Sequence, residues 1–64
     1  SAGPNDPSNL YYAAVVENLA GNSQGAIELL SRAISRGLPF EQVREDPDFR
    51  NLKGRDDFAA LGNV

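Results

Sequence analysis

Apolar residues recur with helical spacing over two consecutive stretches of the chain, and a glycine follows each stretch. The pattern predicts one helix over about 8–20 and a second over about 23–36. Valine and isoleucine never alternate with polar residues over the length of a strand, so no sheet is expected. The apolar residues of the first helix form two stripes, and those of the second helix form one broad face: Leu10, Ala13 and Ala14; Tyr12, Val15, Val16 and Leu19; and Ala26, Ile27, Leu29, Leu30, Ala33 and Ile34.

The residues between and after these stretches indicate where the two helices end. Gly21 is expected just past the end of the first helix, and Asn22 or Ser23 is expected to cap the second. Gly37 fits a left-handed residue that terminates the second helix. A connection as short as Gly21-Asn22 predicts an antiparallel helical hairpin, and the small residues Ala26 and Ala33, seven residues apart, allow close packing.

The remainder of the chain predicts short helices separated by breaks. Residues 40–45 could form one or two helical turns, and Asp46-Pro47 is a second start signal, an acidic cap before a proline. Gly54 interrupts the chain again, and Arg55 or Asp56 begins a last short helix. Six apolar residues at helical spacing are expected to face inward: Phe40, Val43, Phe49, Leu52, Phe58 and Leu61.

These elements divide the chain into a flexible lead-in at residues 1–7, a helical hairpin at 8–37 and a short-helix C-terminal cap at 38–64. Asp6 is the expected cap of the first helix, with Pro7 at its first helical position. A helix that is apolar on most sides is usually covered on most sides. Either the C-terminal segment folds back over one stripe of the first helix, or a neighbouring unit covers it.

The hairpin resembles a tetratricopeptide repeat, whose helix-turn-helix unit has small residues at fixed sites. With Ala26 at the small site that opens the second helix, Gly21 falls on the turn glycine and Ala33 on the second alanine site. Glu17 departs from the usual tyrosine. The segments 46–52 and 55–61, read as Asp-Pro-x-Phe-x-x-Leu followed by a short Phe-bearing helix, resemble a variant found at the C-terminal ends of such arrays.

The resemblance implies a non-catalytic scaffold or adaptor that binds a peptide or a partner helix in a groove lined by the first helix. Self-association and contact with neighbouring repeats of a longer chain stay open as further partners. An alternative is a structural end cap of a longer array or multidomain protein, with no ligand of its own. The groove-facing sites of the family fall on Ser8, Tyr11, Val15, Asn18 and Leu19.

Of the two adjacent tyrosines, Tyr12 is expected to pack, because it shares its stripe with Val15, Val16 and Leu19, while Tyr11 is the better groove candidate. The family's mode of binding a carboxylate through Asn and Lys is disfavoured, because the first helix contains no Lys or Arg.

Composition and charge narrow the function further. The 64 residues contain neither Cys nor His, which removes disulfides, thiolate metal sites and the commonest general base. The net charge of −3 opposes binding to nucleic acid and to an anionic membrane surface, and no apolar run is long enough to span a membrane. We therefore expect a soluble protein of the cytoplasm or another intracellular compartment.

Clustered charges between residues 41 and 57 are read as helix caps and solvated faces. The acids at 45, 46, 48, 56 and 57 lack the regular offsets of a calcium loop. The six basic residues are scattered among nine acids and do not form a nucleic-acid patch. No catalytic residue, cofactor site or metal site is predicted.

Overall fold

The computed structural model describes residues 6–63, and all regular elements among them are helical. Two α-helices of equal length form the hairpin. Shorter elements follow. The helices are α1 (Pro7–Leu19), α2 (Ser23–Ser35), α3 (Phe40–Glu45) and α4 (Asp56–Ala60), with the 3₁₀ helices η1 (Pro47–Leu52) between α3 and α4 and η2 (Leu61–Asn63) after α4. The all-α hairpin followed by short helices is as predicted. Residues 1–5 of the expected lead-in, and Val64 of the expected cap, lie outside the described residues.

Side chains of the predicted types start the helices. The Asp6 carboxylate accepts a hydrogen bond from the Ser8 N–H (2.8 Å), with Pro7 at the first helical position. The Asn22 side chain accepts from the Gly25 N–H (3.1 Å) at the start of α2. The Asp46 carboxylate accepts from the Asp48 N–H (2.9 Å) at the start of η1.

Both long helices end in the Schellman arrangement, in which two backbone N–H groups turn back to carbonyls of the last helical turn. After α1, Gly21 has φ +90° and the Asn22 N–H donates to the Glu17 carbonyl (2.9 Å). After α2, Gly37 has φ +117° and the Leu38 N–H donates to the Ala33 carbonyl (3.0 Å). Leu38 is buried, so this turn also directs the chain back onto the hairpin.

Gly37 and Gly54 form a matched pair for testing the second turn. A Cβ at either position meets nothing within 4 Å, but only Gly37 of the two has a left-handed φ. We expect Gly37→Ala to lower the free energy of unfolding by about 1–2 kcal/mol, because an L-residue is strained there. Gly54→Ala should leave it unchanged or raise it by up to about 1 kcal/mol. Urea denaturation followed by circular dichroism measures both; equal losses would contradict the assignment.

The core lies between the hairpin and the C-terminal elements. Six of the twelve buried apolar residues among the described ones come from the hairpin, and six come from position 38 onward. The second set comprises Leu38, Val43, Phe49, Leu52, Phe58 and Leu61. All but one of the side chains expected to face inward are therefore buried, and the exception, Phe40, is half-buried with its ring 5.7 Å from that of Phe58. The C-terminal elements thus close the open side of the hairpin.

Candidate interaction surface

The five residues assigned to a groove by resemblance do not share one open surface. Ser8 and Leu19 are exposed, whereas Tyr11, Val15 and Asn18 are half-buried. The Tyr11 ring packs edge-to-face with the buried Phe49 ring of η1, with centroids 5.7 Å apart and planes at 75°. The chain's own η1 therefore lies against the side of α1 that carries Tyr11 and Asn18.

A reciprocal pair of amides fixes η1 to α1. The Asn18 Nδ2 donates to the Asp48 carbonyl oxygen (2.7 Å) and to the Asn51 Oδ1 (2.9 Å). The Asn51 Nδ2 donates in return to the Asn18 Oδ1 (3.0 Å). Three hydrogen bonds thus join residues that are thirty or more positions apart in the chain.

A double-mutant cycle on Asn18 and Asn51 tests this connection. Each single substitution by Ala should lower the free energy of unfolding by about 1 kcal/mol, because Asn18→Ala removes all three hydrogen bonds and Asn51→Ala removes two of them. The double variant should lose less than the sum, with a coupling of about 0.5–1.5 kcal/mol. Chemical denaturation of the four proteins gives this coupling, and a value near zero would mean that the two amides do not interact.

The opposite side of α1 is uncovered. Tyr12, Val16 and Leu19 lie at i, i+4 and i+7, and 71%, 50% and 78% of their surfaces are exposed. They are the exposed large apolar side chains of the described chain, and we call them the apolar stripe. The expectation that Tyr12 packs was wrong: Tyr11 packs, and Tyr12 faces solvent, because η1 docks on the side of α1 where Tyr11 lies.

The half of α1 that carries the apolar stripe has no charged residue. At 100° per residue, the half centred on Val16, together with the C-cap residue Ala20, consists of Ser8, Asn9, Tyr12, Ala13, Val16, Leu19 and Ala20, which we call the uncharged face. The one charged residue of α1, Glu17, is half-buried, and its carboxylate accepts a hydrogen bond from the Asn22 Nδ2 (2.8 Å). Exposed helix faces are ordinarily polar and charged, whereas the centres of protein interfaces lack charge and are rich in aromatic residues.

The C-terminal elements enclose a shallow cavity of about 350 Å³. It is lined by Phe40, Arg44, Glu45, Lys53, Phe58 and Ala59. The Arg44 guanidinium lies 3.9 Å from the Glu41 carboxylate and 3.4 Å from that of Glu45, so its charge is already compensated. Arg44 and Lys53 both line this opening, although they are nine residues apart and nothing in their spacing predicts it.

The remaining ion pair is local and exposed. The Arg55 Nε and Nη2 donate to the two carboxylate oxygens of Asp57, each at 3.0 Å. This hydrogen bonding lowers the pKa of Asp57 and raises that of Arg55. Because a lowered carboxyl pKa stabilises the fold only above the unfolded pKa, any contribution of this pair is lost as the solution becomes acidic. The pair is at the surface, so it serves α4 locally and forms no site.

Within residues 6–63, no group of three or more acidic side chains is arranged to hold a metal ion. None of the helices there has the length and apolar character needed to cross a membrane. Comparison of the chain with protein-family models, with curated proteins and with solved structures found no match. The apolar stripe and the surrounding uncharged face are therefore the structural features from which we infer a function.

Proposed function

We propose that the chain is a non-catalytic protein-interaction module that binds a peptide or a partner helix. The observation that supports this most is the apolar stripe, which exposes Tyr12, Val16 and Leu19 on a domain whose core is otherwise closed. An apolar helix face of this kind binds an amphipathic helix through side chains at i, i+4 and i+7. Its large exposed residues are of the type that marks interaction sites.

The proposed role is still that of a tetratricopeptide-type scaffold, but the proposed binding surface is the apolar stripe and not the groove implied by the resemblance. Of the groove residues implied by resemblance, Leu19 belongs to the apolar stripe and Ser8 to the uncharged face around it. A ligand at Tyr11, Val15 and Asn18 would have to displace η1 and break the amide pair of Asn18. A partner on the apolar stripe needs no such rearrangement. Catalysis, a cofactor and nucleic acid have no part in this proposal, which keeps the expectation of a soluble intracellular protein.

Selection from a displayed library of amphipathic helical peptides tests the proposal. Peptides that bind the folded chain should lose at least tenfold in affinity against Leu19→Lys, because a charge then enters an apolar contact. Gln42→Lys, an exposed change of the same charge on α3, should leave binding unaltered. The proposal fails if the selected peptides bind both variants equally, or if no peptide is enriched.

The second candidate is a structural end cap of a longer array that binds nothing itself. The one-sided closure of the hairpin favours it: the C-terminal elements cover one side, and the apolar stripe on the other is where a preceding helix would stack. An end cap should gain stability when a preceding helical hairpin is joined to its N-terminus, and no library peptide should bind at Leu19. An interaction module should gain no stability from the added hairpin, and library peptides should bind it at Leu19.

A further inference from the structure

Large and small side chains on the uncharged face lie at equal distances on either side of Val16, so the face is complementary to the same face of a second copy. Tyr12 and Ala20 each lie four residues from Val16, and Ala13 and Leu19 each lie three residues from it. We propose that the partner of this face is a second copy of the chain, with the two α1 helices antiparallel about a two-fold axis at Val16. This inference rests on the proposed function, because it names the occupant of the same surface.

The two-fold arrangement places a large side chain against a small one in each layer. Tyr12 of one copy faces Ala20 of the other, Leu19 faces Ala13, and Val16 faces Val16 at the axis. Small residues let two helix backbones approach closely, and large residues fill the space beside them. The exposures of Tyr12 and Leu19, 71% and 78%, are what such a contact would remove from water. A symmetric dimer requires one patch to complement itself in this way.

Charge also favours a second copy over a charged partner. The uncharged face has no ionisable group other than the Tyr12 hydroxyl, so two copies meet without burying an unpaired charge. All six basic residues of the chain lie between 32 and 55, away from α1 in sequence. The two copies still repel weakly at long range, since each has a net charge of −3. Salt should therefore strengthen the dimer, because it screens this repulsion without weakening an apolar contact.

The area that the uncharged face can bury sets the expected affinity of the dimer. A helix of 13 residues is about 20 Å long, and half of its surface offers about 450 Å², or about 900 Å² for two copies. Specific interfaces begin near 1,000 Å², so the dimer is of the weak and reversible class. We expect a dissociation constant on the order of 0.1 mM, which allows monomer and dimer to be compared in one buffer.

Sedimentation equilibrium of the full chain tests the dimer directly. Between about 10 µM and about 1 mM the mean mass should rise from one chain toward two, and the rise should be larger at high salt. Val16→Lys should remain monomeric throughout, because it brings two like charges together at the axis, while Gln42→Lys should dimerise like the parent. Val16 is half exposed, so helical circular dichroism should be retained in both variants.

A cross-link tests the register. The chain has no cysteine, so Val16→Cys introduces a single thiol. Helix axes about 8–10 Å apart place the two Cα atoms at the two-fold axis about 3.5–5.5 Å from each other, and the upper part of this range is one that a disulfide spans. Mild oxidation should link Val16→Cys rapidly and in proportion to dimer, whereas Gln42→Cys should link at least tenfold more slowly. Equal rates for the two thiols would overturn the proposed register.

The failures of the two proposals differ. A chain that stays monomeric at about 1 mM yet binds library peptides through Leu19 overturns the dimer and leaves the interaction module standing. A dimer that persists in Val16→Lys overturns the α1 contact. A monomer that binds no peptide overturns both proposals.

Discussion

Phe49→Ala should unfold most of the protein at room temperature. Phe49 of η1 is fully buried, and its ring meets that of Tyr11 on α1. Truncating a buried Phe to Ala lowers the free energy of unfolding by about 3–5 kcal/mol. The single core of a chain of 64 residues rarely supplies more than about 3–5 kcal/mol of net stability. Urea denaturation monitored by circular dichroism should show a midpoint near zero denaturant.

The matched control is Tyr12→Ala, which removes a ring of similar size from the adjoining surface. Because 71% of Tyr12 is exposed, the free energy of unfolding should change by no more than about 0.5 kcal/mol in dilute solution. A loss for Tyr12→Ala as large as that for Phe49→Ala would mean that η1 does not dock where Tyr11 meets Phe49.

Removal of residues 38–64 should abolish the hairpin altogether. Half of the buried apolar residues lie beyond Gly37, so the truncated chain loses Leu38, Val43, Phe49, Leu52, Phe58 and Leu61 together. Isolated helices of 13 residues are marginal in water, and the contact between α1 and α2 alone leaves an apolar side uncovered. Circular dichroism at 222 nm should show largely unfolded chain without a cooperative thermal transition.

A shorter truncation provides the internal comparison. Removing residues 55–64 takes away Phe58 and Leu61 but keeps Phe49, Leu52 and the amide pair of Asn18 and Asn51. This variant should keep part of its helicity and unfold at a lower temperature than the full chain. If the 38–64 deletion melted as cooperatively as the full chain, the C-terminal elements would not be part of the core.

Local sequence signals predicted the helices well because the signals and the structures they specify are only a few residues apart. Asp6, Asn22 and Asp46 accept the backbone hydrogen bonds expected of helix caps. Gly37 has the left-handed φ expected of a helix terminator. The boundaries of α1 and α2 fall within one residue of the expected ones, since caps and terminators act over a single turn.

Which tyrosine of α1 is covered could not be predicted in the same way. Tyr11 and Tyr12 are adjacent in sequence and 100° apart on the helix, and each is followed one turn later by a valine, Val15 or Val16. The choice between them is made by Phe49 and by the bonds from Asn18 to Asp48 and Asn51, which join segments thirty or more residues apart. Periodicity identified the stripe that contains Val16 and Leu19, but only tertiary packing shows that it stays exposed.

Exposure of the two tyrosine rings to a soluble paramagnetic probe shows which side of α1 the C-terminal elements cover. The chain has two tyrosines, so their ring signals can be resolved in a dilute sample. We expect the probe to broaden the Tyr12 signals strongly, while Tyr11 is protected and shows nuclear Overhauser contacts to Phe49. Protection of Tyr12 together with broadening of Tyr11 would mean that η1 docks on the other side of α1.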